Sequence, residues 1–256
     1  MTAEALIAKI DARGRDRPSS LALVSGDEAL TYGDLARRSD ELAARLARAV
    51  PDDGSPVAIV GHKEPAMLVG FVAAVKAGHP YVPLDTSLPP ARIAHIVASS
   101  GARLTLSGER PLLSPTPGDA PTSRAPRRTD APFYVIYTSG STGDPKGVVI
   151  TGSALAGFVD WIVTEHRLVD DDVVLDQAPY SFDLSVMSVY PTLAVGGTLH
   201  ALRREHVANP LALLAALADS RMTTWVSTPS FARMLLADAR FTARLLPGLR
   251  RMLFCG

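Results

Sequence analysis

The sequence predicts an α/β domain built on a largely parallel sheet, on two observations. Stretches of helical periodicity alternate along the chain with short β-branched apolar runs. Hydrophobic residues make up 47% of the 256, enough for a continuous core in one large domain or two small ones.

The elements follow in order. "LTYGDLARRSDELAARLARAV" (30–50) carries Leu35, Leu42, Leu46 and several alanines at three- and four-residue steps with charges between them, which predicts an amphipathic helix. "PVAIVG" (56–61) is a strand by its apolar run, and residues 64–77 return to helical spacing. The prolines of "HPYVPLD" (79–85) hold that stretch extended, and residues 90–99 are helical again. Between Ser107 and Ala131, Pro, Ser, Arg and Gly dominate with almost no apolar periodicity, which predicts an exposed, mobile connection. An apolar strand then runs to Tyr137, a polar loop follows, a second apolar run spans Val148 to Ile150, and a helix starts near Thr151 or Ser153. The loop therefore joins two strands. The second half continues with a strand at 172–178, a helix-like 184–197, a strand-like 198–202, a helix around Pro210 to Ala218, a strand at 223–228 and a helix from Ser230. "RRMLFCG" (250–256) reads as a further buried strand; no repeat or heptad is present.

Composition excludes several functions. Acidic and basic residues balance at 26 each, so no global field draws the chain to nucleic acid or an anionic membrane. "VAIVGHKEPAMLVGFVAAVKAG" is interrupted by His62, Lys63, Glu64 and Lys76, and no signal peptide or membrane span is expected. Cys255 is the only cysteine, which rules out an internal disulfide and a multi-cysteine metal site and fits a reducing, cytoplasmic setting. The six histidines lack ligand-like spacing, so no structural metal is expected.

The loop "YTSGSTGDPKGVVI" (137–150) concentrates hydroxyls, glycines and one lysine, a set suited to a polyanion such as a nucleotide phosphate. It lacks the Gly-Lys-Ser/Thr step of the Walker pattern, and its composition alone also suits a flexible surface loop. The wording "YTSGSTGDPKGV" resembles the phosphate-binding signature of the adenylate-forming enzymes. That resemblance implies that Thr138, Ser139, Gly140, Ser141, Thr142 and Gly143 hold the β- and γ-phosphates of ATP, brought with Mg²⁺, while Lys146 adds positive charge. "LTYGDLARRSDELAARL" and "VKAGHPYVPLD" are similar to the first two motifs of amino-acid adenylation domains and shape the fold; "SFDLSV" (181–186) is similar to the fourth.

Asp183 is a carboxylate in a segment otherwise fit for burial, and by itself it reads as a helix N-cap, a satisfied core acid or a counter-ion. In the amino-acid-activating branch, the aspartate of that motif pairs with the substrate's α-ammonium. Within the branch, "QAPYSFDLSVMSVYPTLAVGGTL", "WVSTPSFARMLL" and "RMLFCG" look most like the ligases that load D-alanine onto a carrier protein. The resemblance implies Leu184, Met187, Val226 and Leu253 as walls around a small amino acid, with Cys255 beside its α-carbon favouring the D enantiomer. Without the resemblance, Cys255 reads as an inert core residue. The implied product is an aminoacyl-AMP, passed to the phosphopantetheine thiol of a carrier protein. A nonribosomal peptide synthetase domain for another small amino acid, and a non-catalytic nucleotide-binding half-domain, are the alternatives.

Members of this family continue past the position of Gly256 with residues for adenine, metal and ribose, a hinge, and a small domain whose lysine meets the α-phosphate. The expectation is that residues 1–256 form the N-terminal part of the large adenylating domain, with the C-terminal half needed in cis or in trans and no aminoacyl-adenylate made by these residues alone.

Overall fold

The computed structural model describes residues 2–107, 113–115, 130–139 and 144–255, with side chains left aside at 113–115 and 139. Helix α1 (Ala3–Asp16) is opened by Thr2, whose hydroxyl accepts from the Ala5 N–H at 3.2 Å. Strands β1 (Leu21–Ser25) and β2 (Glu28–Thr31) pair antiparallel. Thr31 then caps α2 (Tyr32–Ala49), which buries Leu35, Leu42 and Leu46 along one stripe. Next come β3 (Val57–Gly61), α3 (Pro65–Lys76), β4 (Tyr81–Asp85), α4 (Pro90–Ser100) and β5 (Leu104–Ser107). Within the stretch from 107 to 131, β6 (Leu113–Pro115) pairs antiparallel with β5; 108–112 and 116–129 lie outside the described residues.

Strands β7 (Pro132–Ser139) and β8 (Pro145–Thr151) form an antiparallel pair, and Thr151 caps α5 (Gly152–Glu165). Strand β9 (Val173–Asp176) leads to α6 (Leu184–Val195), which ends at Gly196 with φ 89°, a conformation that glycine adopts without strain. Then follow β10 (Thr198–Ala201), α7 (Arg204–Ala208), α8 (Pro210–Ser220), β11 (Thr224–Ser227), α9 (Pro229–Leu236), a 3₁₀ turn at Ala243–Leu245 and β12 (Arg251–Phe254).

These strands make two sheets, ordered β12-β11-β9-β10-β1-β2 and β6-β5-β3-β4-β7-β8. Both are parallel except at the outer pairs β1–β2, β5–β6 and β7–β8. One buried cluster draws on both sheets: Leu23, Val174 and Leu199 from the first, Val57, Ile59 and Phe133 from the second, with α1, α2, α3, α5 and α6 contributing to it. Aromatic rings fill its centre. Phe71 stacks on Tyr81 at 4.3 Å, Phe133 meets Tyr190 edge-on at 5.3 Å, and the hydroxyls of Tyr81 and Tyr190 hydrogen-bond.

One expectation is corrected. β12 is not buried but forms the edge of its sheet, paired only with β11, so Met252 and Phe254 stand 43% and 49% exposed and Cys255 is exposed beyond them. An apolar strand looks the same in sequence at the centre of a sheet and at its edge. Among the described residues, no helix is long and apolar enough to cross a membrane.

Candidate functional site

The β7–β8 register sets Thr138 opposite Lys146 and Tyr137 opposite Gly147. Directly opposed residues of an antiparallel pair project to the same face, so the register brings the Thr138 hydroxyl and the Lys146 cation together on one side of the hairpin. Gly147 sits close under its neighbours: a Cβ there would meet the Tyr137 ring and Val135 at 3.1 Å, so a larger residue would press on both side chains. Gly140, Ser141, Thr142 and Gly143 lie outside the described residues, and only the backbone of Ser139 is described.

Asp183 precedes α6 and is exposed. It occupies the cap position with helical backbone angles (φ −59°, ψ −32°) and makes no capping hydrogen bond. Neither structural reading of this residue, cap or satisfied core acid, matches that geometry. Its carboxylate has no hydrogen bond or ion pair among the described residues, and it stands at a helix N-terminus, where the macrodipole favours negative charge.

Thr138 and Asp183 line one cavity of about 560 Å³. The ladder between β4 and β7 is confined to Tyr81 opposite Tyr134. The cavity opens beyond it, between Pro83 and Leu84 on one strand and Ile136, Tyr137 and Thr138 on the other. Pro83, which has no N–H to give a neighbouring strand, stands where that pairing stops. Leu88, Arg92 and Ile96 close one wall from the α4 side, Val148 and Ile150 another from β8, and Ser181, Phe182 and Asp183 a third. Among the described residues, Arg92 and Asp183 are the only charged side chains in this lining, and Arg92 too has no ion pair. The Ser181 Oγ is buried without a hydrogen-bond partner among the described residues. Burial first, and then the nearby Asp183 charge, raise the Tyr134 phenol above its ordinary range, so Tyr134 stays a neutral hydroxyl in the cavity wall.

The other residues singled out in the sequence do not join this lining. Leu184 and Val226 are buried in the main core, and Met187 and Leu253 pack against it. Val226 and Leu253 sit opposite each other in β11 and β12. The Cys255 N–H donates to Ser227 O at 3.2 Å, which places the thiol's residue at the carboxyl ends of these two strands.

Two charge clusters tie the sheets together close to the cavity, and the sequence reading named neither as a site. Asp85, ending β4, has Oδ2 2.7 Å from His62 Nδ1 and accepts from Arg204 at 2.8 Å and from the Ser87 N–H at 2.8 Å. Burial pushes the Asp85 carboxyl up, but these bonds and the positive charge beside it prevail and hold it below the ordinary carboxylate range. Deeper in, Lys63 lies 2.7 Å from Asp176, donates to Ala178 O at 2.6 Å, and sits 3.9 Å above the Tyr180 ring; the Tyr180 hydroxyl donates to Asp176 at 2.8 Å. Burial lowers the Lys63 pKa against the opposing pull of Asp176. A lysine interrupting an apolar run was the only sequence signal for this cluster. Among the described residues, no group of three or more His, Cys, Asp or Glu side chains could hold a metal ion.

A family model described as "AMP-binding enzyme" matches residues 10–256. A D-alanine--D-alanyl carrier protein ligase of Bacillus mycoides is 41% identical over 268 residues, covering 98% of this chain and 53% of that one. A protein of the same name from Bacillus thuringiensis gives the same figures. The chain thus spans about half the length of the curated relatives it matches. Among solved structures, the nonribosomal peptide synthetase FmoA3 superposes with a TM-score of 0.83 at 28% identity, over 98% of this chain and 28% of that one. Its form bound to α-methyl-L-serine-AMP gives a TM-score of 0.82 at 29% identity, over 98% and 29%.

Proposed function

The chain belongs to the AMP-binding enzyme family, and from that premise we propose that it serves the ATP-dependent activation of a small amino acid, D-alanine first, for transfer to a carrier protein. The observation that carries this reading is the shared cavity, in which the strand leading into the hydroxyl-rich loop and the unpaired Asp183 meet. The reading concerns the activity these residues serve when the rest of such an enzyme is supplied in cis or in trans. It sets the reaction in the cytoplasm, where ATP and reduced thiols are found.

In this proposal, Asp183 takes the α-ammonium of the amino acid, and Arg92, the one cation of the lining among the described residues, faces its carboxylate end. A charge pair near 4 Å is worth about 4 kcal/mol at an effective dielectric of 20, before desolvation is subtracted, which discriminates against carboxylic acids that lack an amine. Thr138, the loop at 139–143 and Lys146 hold the β- and γ-phosphates of ATP, with Mg²⁺ bound to those phosphates. The walls contributed by Leu84, Tyr134 and Ile136 keep water from the charged groups. A carboxylate oxygen of the amino acid bonds to the α-phosphorus as the bond to pyrophosphate breaks; positioning and charge neutralisation supply the acceleration. The acyl group then moves from aminoacyl-AMP to a phosphopantetheine thiol, releasing AMP. Leu184, Met187, Val226 and Leu253, none of which lines this cavity, are assigned to the core behind the substrate side, and Cys255, exposed at the carboxyl end of β12, is assigned the contact with the α-carbon that favours the D enantiomer.

The 41% identity to ligases named for D-alanine supports that substrate. The likeness to a synthetase bound to α-methyl-L-serine-AMP supports a second reading, activation of another small amino acid. ATP–pyrophosphate exchange with a panel of small amino acids separates the two, using a chimera that joins this chain to the remaining half of the Bacillus mycoides ligase. Exchange that depends on D-alanine above all others is expected, and exchange with no amino acid would defeat both readings.

A further inference from the structure

The buried Lys63 cluster bears on the site through the segment that carries Asp183. Lys63 follows β3 at the carboxyl end of one sheet, and Asp176 ends β9 in the other; they are 1% and 0% exposed. The ammonium of Lys63 meets the Asp176 carboxylate at 2.7 Å, the Ala178 carbonyl at 2.6 Å and the face of the Tyr180 ring at 3.9 Å. Tyr180 closes the circuit by donating to the second oxygen of Asp176 at 2.8 Å. All three partners belong to residues 176–180, the start of the run between β9 and α6 that leads to Asp183. An ion pair alone would have needed only Asp176; the bond to Ala178 O holds the backbone of the run itself.

We propose that Lys63 is a positioning residue for Asp183: its ammonium fixes the path of residues 177–182, and so where the Asp183 carboxylate stands at the cavity wall. The proposal rests on the reading of Asp183 as the group that takes the substrate ammonium. Without Lys63 the carboxylate remains but is held in a looser distribution, so amino-acid binding weakens while ATP binding, which the β7–β8 hairpin serves, does not.

The test separates positioning from stability. Two variants of the chain, Lys63→Met and the double change Lys63→Met with Asp176→Asn, are compared with the parent by thermal unfolding and amide hydrogen exchange. The single change strands a buried carboxylate and lowers Tm; the double removes both charges and brings Tm back toward the parent. Neither restores a donor to Ala178 O, so the Phe182 amide, which donates to Pro179 O at 2.9 Å within this run, is expected to exchange about tenfold faster or more in the double variant, while the amides of β1 and β2 keep the parent rate. If the single variant does not fold, the double carries the test. In the chimera, the double variant is expected to raise the amino-acid KM about tenfold with the ATP KM unchanged. Parent-like exchange at the Phe182 amide together with a parent-like amino-acid KM would overturn the proposal and leave Lys63 an ion-pair partner only. Should the parent chimera activate no amino acid, the reading of Asp183 fails, and the hydrogen exchange still decides whether Lys63 holds the run.

Discussion

Asp176 and Asp183 lie seven residues apart, at the two ends of one connection, and they could hardly differ more. Asp176 is fully buried, with Lys63 on one oxygen and the Tyr180 hydroxyl on the other. Asp183 is exposed at the wall of a cavity, heads a helix without capping it, and has no hydrogen-bond or ion-pair partner among the described residues. A buried carboxylate held by an ion pair on one oxygen and a hydroxyl on the other holds a fold together. One left open beside a cavity has its bonding capacity free for a ligand. The difference separates scaffold from site within a single loop, and it can be attacked from either end.

Removing the cation from the closed end has the largest expected effect. Lys63→Met leaves Asp176 charged, buried and without its ion pair, and is expected to cost about 3–5 kcal/mol in the free energy of unfolding measured with denaturant. Tyr180→Phe removes only the hydroxyl donor to that carboxylate, and a loss of roughly 1.5–3 kcal/mol is expected in the same measurement.

A third test uses pH on another buried, partnered carboxylate. Asp172 is pushed up by burial, but bonds from Thr223 and the Val169 N–H, and the Arg251 guanidinium, prevail and hold it below the ordinary range. Its folded pKa is therefore lower than its unfolded value of about 3.9. The stability it gives is present above that unfolded value and is lost as pH falls through the folded one. Unfolding followed from pH 6 down to about 2 is expected to show that loss, with a smaller fall in an Arg251→Met variant. The smallest effect is reserved for the open end: Asp183→Asn is expected to change unfolding stability by no more than about 1 kcal/mol, since it breaks no side-chain contact and loses only the interaction of the charge with the α6 dipole. A large destabilisation by Asp183→Asn would erase the contrast between the two acids.

Much of this architecture was legible because it is local. The stripe of Leu35, Leu42 and Leu46 in α2, the run at 57–61, the prolines of 79–85 and the Thr151 cap each depend on near neighbours in the chain, and the structure places a helix, two strands and a capped helix there. Helix α1 carries its signal in Thr2 and in Leu6, Ile7 and Ile10 at three- to four-residue spacing, a local pattern of the same kind. What stayed hidden is non-local. Nothing near residue 63 announces a partner at 176, because the pairing exists only once two sheets are packed together. Arg92 gave no sign either, since its place in the cavity depends on where α4 lies over β4 and β7. The exposure of β12 is hidden for the same reason: its position at a sheet edge is set by strand order, which no local pattern carries.

The central claim is that Asp183 takes the substrate's ammonium. The direct measurement is kcat/KM for D-alanine and for propanoate, the same skeleton without the amine, in pyrophosphate exchange by the chimera with and without Asp183→Asn. The account predicts strong preference for D-alanine in the parent, and in the variant a fall of about 100-fold or more for D-alanine with the ATP KM unchanged. An unaltered kcat/KM for D-alanine in the Asp183→Asn chimera would contradict it.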